Sequence, residues 1–154
     1  MVSSTTRRTN GFAETPVQKA ALVYGIVFLI VGLGGFIPGL TSNIESLQFA
    51  GHTSEAMLLG IFQVSILHNI VHLLYGVVGL MAARAFGFSR QYLIWGGAVY
   101  AVLWLYGLFV PHDSGANFVP LNTADNWLHF VLAVTMIGLG ILLGRGGARD
   151  AAYD

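Results

Sequence analysis

The sequence predicts an all-α fold, an integral membrane four-helix bundle that can be built from two tandem helical hairpins. Three observations predict it. Of 154 residues, 55% are apolar and only 9% charged, against roughly 25% charged in an average soluble domain. So few polar side chains cannot cover a water-soluble globule of this size. Apolar stretches cover residues 17–37, 57–83, 91–111 and 126–144, each meeting or approaching the roughly 20 residues that cross a hydrocarbon core of about 30 Å. All seven Lys and Arg fall on alternate connections: Arg7, Arg8 and Lys19 before the first stretch, Arg84 and Arg90 between the second and third, Arg145 and Arg149 after the fourth. The other two connections carry acids only, Glu45, Glu55, Asp113 and Asp125. This bias puts both termini on the cytoplasmic side of a cell membrane that the chain crosses four times.

The elements follow in order. Residues 1–16 are polar and read as a disordered cytoplasmic N-terminus, 17–145 as the transmembrane domain, and 146–154 as a cytoplasmic tail. The first stretch reads as a retained span, being longer than a signal-peptide core and lacking an Ala-x-Ala cleavage site. Pro38 ends the first span and Pro111 the third, because proline cannot continue a helix. The second stretch exceeds the length required, so its first turn is expected to project from the bilayer or the helix to tilt. Arg84 to Arg90 is a short inner turn, which makes helices two and three antiparallel neighbours. Outside, Gly39 to Ala56 reads as a short helix on the membrane surface, and Asn122 to Asp125 as a helix cap. Trp127, Tyr92 and Trp95 suit an interfacial belt, with Trp104 and Tyr106 packing deeper.

A weak internal repeat runs through these spans. Asn69-x-x-His72-x-x-x-Gly76 on helix two matches Asn126-x-x-His129-x-x-x-Ala133 on helix four. Val23-Tyr24 pairs with Val99-Tyr100, and Phe36-Ile37-Pro38 with Phe109-Val110-Pro111, as two parallel hairpins would require.

The polar residues inside the spans carry what functional information there is. His68 lies sixteen residues before Arg84, and His129 sixteen before Arg145. Both therefore sit about 24 Å above the inner anchor, with His72 one turn deeper. Ser65, Asn69, His72, Gly76 and Gly79 form one polar and small stripe on helix two, flanked by His68. Asn126, His129, Ala133, Gly140 and Gly144 form another on helix four, interrupted at Met136 and Ile137. Intramembrane polar groups face the bundle interior, so helices two and four are expected to meet through these stripes. His68 and His72, four apart, with His129, make a candidate set for a transition metal, joined by Asp125 or Glu55. A haem between two histidines is a second version. The plainer reading is interhelical hydrogen bonding among Asn and His side chains.

Other chemistries fall away. With no cysteine there are no disulfides, thiolate sites or cysteine nucleophiles. The balanced charge gives no field for nucleic acid. Gly32-Leu33-Gly34-Gly35 lies within a span and lacks the strand and Lys-Ser/Thr of a phosphate loop. Ser65 lacks the orienting acid and oxyanion hole of a hydrolase. The inner halves of the spans lack a polar path for a pore.

At His68-Asn69-Ile70-Val71-His72-Leu73-Leu74-Tyr75-Gly76 and Asp125-Asn126-Trp127-Leu128-His129 the chain resembles a family of small bacterial membrane proteins known as domain of unknown function 4383. The resemblance covers residues 16–145 and implies a membrane location and four helices, but no activity, cofactor or catalytic residue. The expectation is a non-enzymatic accessory or scaffold protein, partnered by the bilayer and by a second copy or another membrane protein. The alternatives are a metal- or haem-binding protein, and a pH-responsive pocket for a small ligand.

Overall fold

The computed structural model describes residues 11–145, so residues 1–10 of the leader and the tail 146–154 lie outside the described residues. Four α-helices account for most of it: α1 Pro16–Gly34, α2 Ile66–Ala82, α3 Phe86–Phe109 and α4 Thr123–Leu142, the last followed by a 3-10 turn to Arg145. Three of them, α1, α3 and α4 with its final turn, are long and apolar enough to cross a membrane. Helix α2 is a shorter apolar helix of 17 residues, about 26 Å long.

Three of the four helices, α1, α2 and α4, start where the sequence provides a side-chain cap; α3 starts after Ala85 without one. Thr15 and Gln18 form a reciprocal capping box at α1, with Pro16 at the first helical position. Asn122 and Asp125 do the same at α4. Ser65 caps α2 by accepting from the His68 backbone N–H at 3.1 Å. These groups satisfy donors that a helix leaves free at its start. Residues just before α1 are held as well: the Ala13 N–H donates to the Ala83 carbonyl at 2.9 Å, and the buried Gln18 amide donates to Gly11 and Ala83.

The second apolar stretch does not form one long helix. Its first part supplies two strands, β2 Met57–Leu58 and β3 Phe62–Gln63, of a small antiparallel sheet completed by β1 Thr41–Ser42, in the order β1-β2-β3. Leu59 and Gly60 turn the chain between β2 and β3 with φ of +55° and +68°, a conformation no helix contains. Average hydropathy cannot separate this apolar hairpin from a helix. The burial pattern does: Ala56, Leu58 and Val64 are enclosed, while Leu59 and Ile61 point outward. Nor does Gly39 to Ala56 form a surface helix. It holds β1 and a single 3-10 turn, Ile44–Ser46, entered through a left-handed Asn43. Helix α3 begins at Phe86, earlier than its apolar run, leaving only Ala83–Ala85 to join it to α2.

The helices pack most closely as α1 with α2 and α3 with α4; α1 also crosses α3, and α2 touches α3 more lightly. The expected seam between α2 and α4 is therefore absent. The α2 stripe lies on α1, and the α4 stripe on α3. Glycine allows the close approach within each pair. A methyl added at Gly25 would stand 2.9 Å from the Leu80 backbone nitrogen, and one at Gly97 would stand 3.0 Å from that of Ile137.

Those contacts expose the internal repeat in its correct register. Gly25 and Gly97 are 72 residues apart, as are Phe28 and Tyr100, and as are Gly35, which abuts the Asn69 amide, and Gly107, which abuts the Asn126 amide. Leu80 and Ile137, Asn69 and Asn126, and the caps Ser65 and Asn122 are each 57 apart. The second and fourth helices thus match as their motifs predict. The Val-Tyr pairing of the first and third is four residues out of register.

Polar groups are enclosed beside the apolar core, and the outer face is apolar. Gln18, Asn69, His72, Asn126 and His129 are buried, while Ile30, Leu74, Val102 and Val134 face outward. That arrangement suits lipid rather than water as the surrounding medium. Trp95 and Trp127 are exposed, as belt residues should be. Tyr92 is not a belt residue: it is buried, and its hydroxyl donates to the Tyr75 carbonyl at 3.2 Å. Trp104 packs on Phe130 and Tyr106 on Phe118.

Candidate functional site

A cavity of about 320 Å³ opens between α2, α3 and α4 near the sheet end. Its walls include Ser65, His68, Val71, His72 and Tyr75 of α2 and its cap, Val99, Tyr100 and Leu103 of α3, His129 of α4, and Phe118 and Val119 from the α3–α4 connection. The three histidines line this one cavity although α2 and α4 make no close seam.

The imidazoles are positioned in different ways. His72 Nδ1 lies 3.0 Å from the His68 carbonyl oxygen. A carbonyl only accepts, so Nδ1 carries the hydrogen and Nε2 is left as an acceptor. The His68 and His72 rings stack 4.3 Å apart and 4° from parallel. His129 rests against Tyr100, with centroids 5.2 Å apart. Phe28, almost wholly enclosed, backs the group: it meets His72 edge-on at 5.6 Å and Tyr75 at 5.4 Å. His68 Nδ1 and His129 Nδ1 are buried without a hydrogen-bonding partner. Among the described residues both atoms lack a partner and have almost no accessible surface, a burial that costs free energy.

The other polar residues singled out in the sequence have separate duties. Ser65 lines the cavity, but its hydroxyl caps α2. The Asn69 and Asn126 amides lie in the hairpin seams against Gly35 and Gly107. The Asp125 carboxylate accepts from the Gln63 and Asn122 backbone N–H groups at 3.0 and 3.1 Å. It ties β3 to the start of α4 and does not line the cavity. Glu55 is exposed on the sheet-end connection. Among the described residues, no group of three or more His, Asp or Glu side chains is arranged to hold a metal ion. Stacked parallel rings, one with Nδ1 engaged by a backbone carbonyl, do not converge their lone pairs on one point.

The sequence reading overlooked Phe28, Tyr75 and Tyr100. The signal was present for Tyr75, which lies one turn beyond His72 on the same helical face. Tyr100 and Phe28 look like ordinary apolar filler in mid-span, and only their mutual stacking marks them.

The family profile described as Domain of unknown function (DUF4383) matches residues 18–142. The chain belongs to this family. The match takes in all four helices and every residue of the histidine cavity, so the site lies within the family's own domain rather than in an added segment. Comparison with curated proteins and with solved structures returns no match.

Proposed function

We propose that this protein is a non-enzymatic, multi-pass cell-membrane protein that binds a small, membrane-soluble ligand in the histidine cavity. The observation that carries the reading is the gathering of His68, His72 and His129, with His72 Nε2 left as an acceptor, on a cavity otherwise walled by apolar and aromatic groups. Ligand sites are mostly apolar, with a few fixed polar groups that set orientation. No nucleophile is paired with a base here, since the Ser65 hydroxyl serves as a cap.

In this reading the four helices all span the membrane, with both termini in the cytoplasm. Lys19, Arg84, Arg90 and Arg145 support that orientation by gathering at one end: Gln18 bonds to Ala83, Ser89 to Ala82, and Gly144 lies against Arg90. The glycine faces that suggested a scaffold face one another within the hairpins, as Gly25 does with Gly76 and Gly79. Ligand binding therefore takes precedence over an accessory role.

The test uses purified protein in lipid nanodiscs, with thermal stability read against phenol and short-chain alcohols and metal content measured on the same sample. Stabilisation that is lost in His72→Leu and His129→Leu supports the proposal. No stabilisation by any probe, or a stoichiometric transition metal lost in those variants, overturns it.

A further inference from the structure

A second cavity, of about 520 Å³, runs along the cleft between α2 and α3 toward the basic end. It shares Val71, Tyr75 and Val99 with the histidine cavity, so the two adjoin along one α2–α3 furrow. The furrow exists because α2 and α3 pack only lightly together beyond their three-residue connection. Its rims are open to the surroundings: Trp95 is 70% exposed and Leu74 60%. Its walls are almost entirely apolar, and they carry no Lys, Arg, Asp or Glu.

We propose that the ligand is a single-chain amphiphile with an uncharged hydroxyl or carbonyl head, the head at His68, His72 and His129 and the chain in the α2–α3 furrow. This rests on the reading of the histidine cavity as a ligand site. Three features select that chemistry. His72 Nε2 accepts a hydrogen bond, which a hydroxyl donates, and the His68 and His129 rings wall the same end of the cavity. Neither cavity is lined by a lysine or arginine to pair a phosphate or sulfate. From His68 to Val78, and from Leu103 to Gln91, the furrow covers ten to twelve helical residues, roughly 15–18 Å. That length is about half a bilayer's hydrocarbon core, the depth that one lipid tail occupies. A ligand already dissolved in the bilayer enters sideways over the exposed rim without crossing water.

The experiment uses hexadecanol bearing a chain diazirine, photolysed with the full-length protein in nanodiscs and mapped by mass spectrometry. The expected result is labelling concentrated on α2 and α3 furrow residues and competed by unlabelled hexadecanol. His72→Leu with His129→Leu should lower it about tenfold, the loss of a buried hydrogen bond. Val78→Trp, at an exposed position of the furrow outside the histidine cavity, should block furrow labelling while hexanol still stabilises the protein through the histidines. Even labelling of all outward helix faces, with hexanol still binding, overturns the amphiphile and spares the histidine pocket. Stronger competition by hexadecyl phosphate than by hexadecanol overturns the uncharged head. Failure of both hexanol and hexadecanol removes the pocket reading as well.

Discussion

Phe28 of α1 and Tyr100 of α3 stack face to face, their ring centroids 5.6 Å apart and their planes 6° from parallel. They occupy equivalent positions of the two hairpins, so the repeat meets itself at this pair. Phe28 also touches His72 and Tyr75, and Tyr100 touches His129. One aromatic contact thus joins the two halves and forms the back of the histidine cavity.

Phe28→Ala should remove that joint. Truncating an enclosed phenylalanine costs about 3–5 kcal/mol, and the loss falls where α1 crosses α3. Thermal unfolding in detergent should show a large drop. A drop no greater than that of Ile30→Ala, on the outward face, would deny Phe28 its central role.

The hairpin seams predict a contrast between glycines. Gly25→Val places its side chain against the α2 backbone, with the first carbon 2.9 Å from the Leu80 nitrogen, and should cost at least about 1–3 kcal/mol through overpacking. Gly138 of α4 has nothing within 4 Å of the added carbon, so Gly138→Ala should be neutral or stabilise the helix by up to about 1 kcal/mol. Paired melting curves of the two variants check this.

Asp125→Ala should free the Gln63 and Asn122 backbone donors that the carboxylate now accepts. Both bonds are partly buried, and losing each costs about 0.5–1.5 kcal/mol. Hydrogen exchange should quicken at Gln63 and Asn122 and through the β2–β3 hairpin, with Tyr92 and the basic end unchanged. Uniform protection across the variant would contradict the tie.

His129→Leu should separate stability from binding. The buried Nδ1 has no partner among the described residues, so replacing the ring by an apolar side chain should hold or raise stability, by about 1 kcal/mol or more. The same change should abolish stabilisation by hexanol. A destabilised variant would mean that the ring is a packing element first.

The sequence by itself determined the helix count, the apolar exterior and the gathering of basic residues at one end. These follow from composition and linear order, which dictate what lipid and water each accept. It also placed His68, His72 and His129 at depths where they can meet, because helical rise converts residue number into height. Tertiary structure alone decided which helix pairs with which. Glycine marks a close approach but does not name its partner, so the stripes expected between α2 and α4 became seams with α1 and α3. It alone decided that Met57 to Gln63 is a hairpin, since apolar residues in a strand and in a helix have the same hydropathy and differ only in the burial their neighbours impose. It alone brought Phe28, Tyr75 and Tyr100 to the histidines and opened the furrow beside them, because a cavity is the space left between elements and no single segment encodes it.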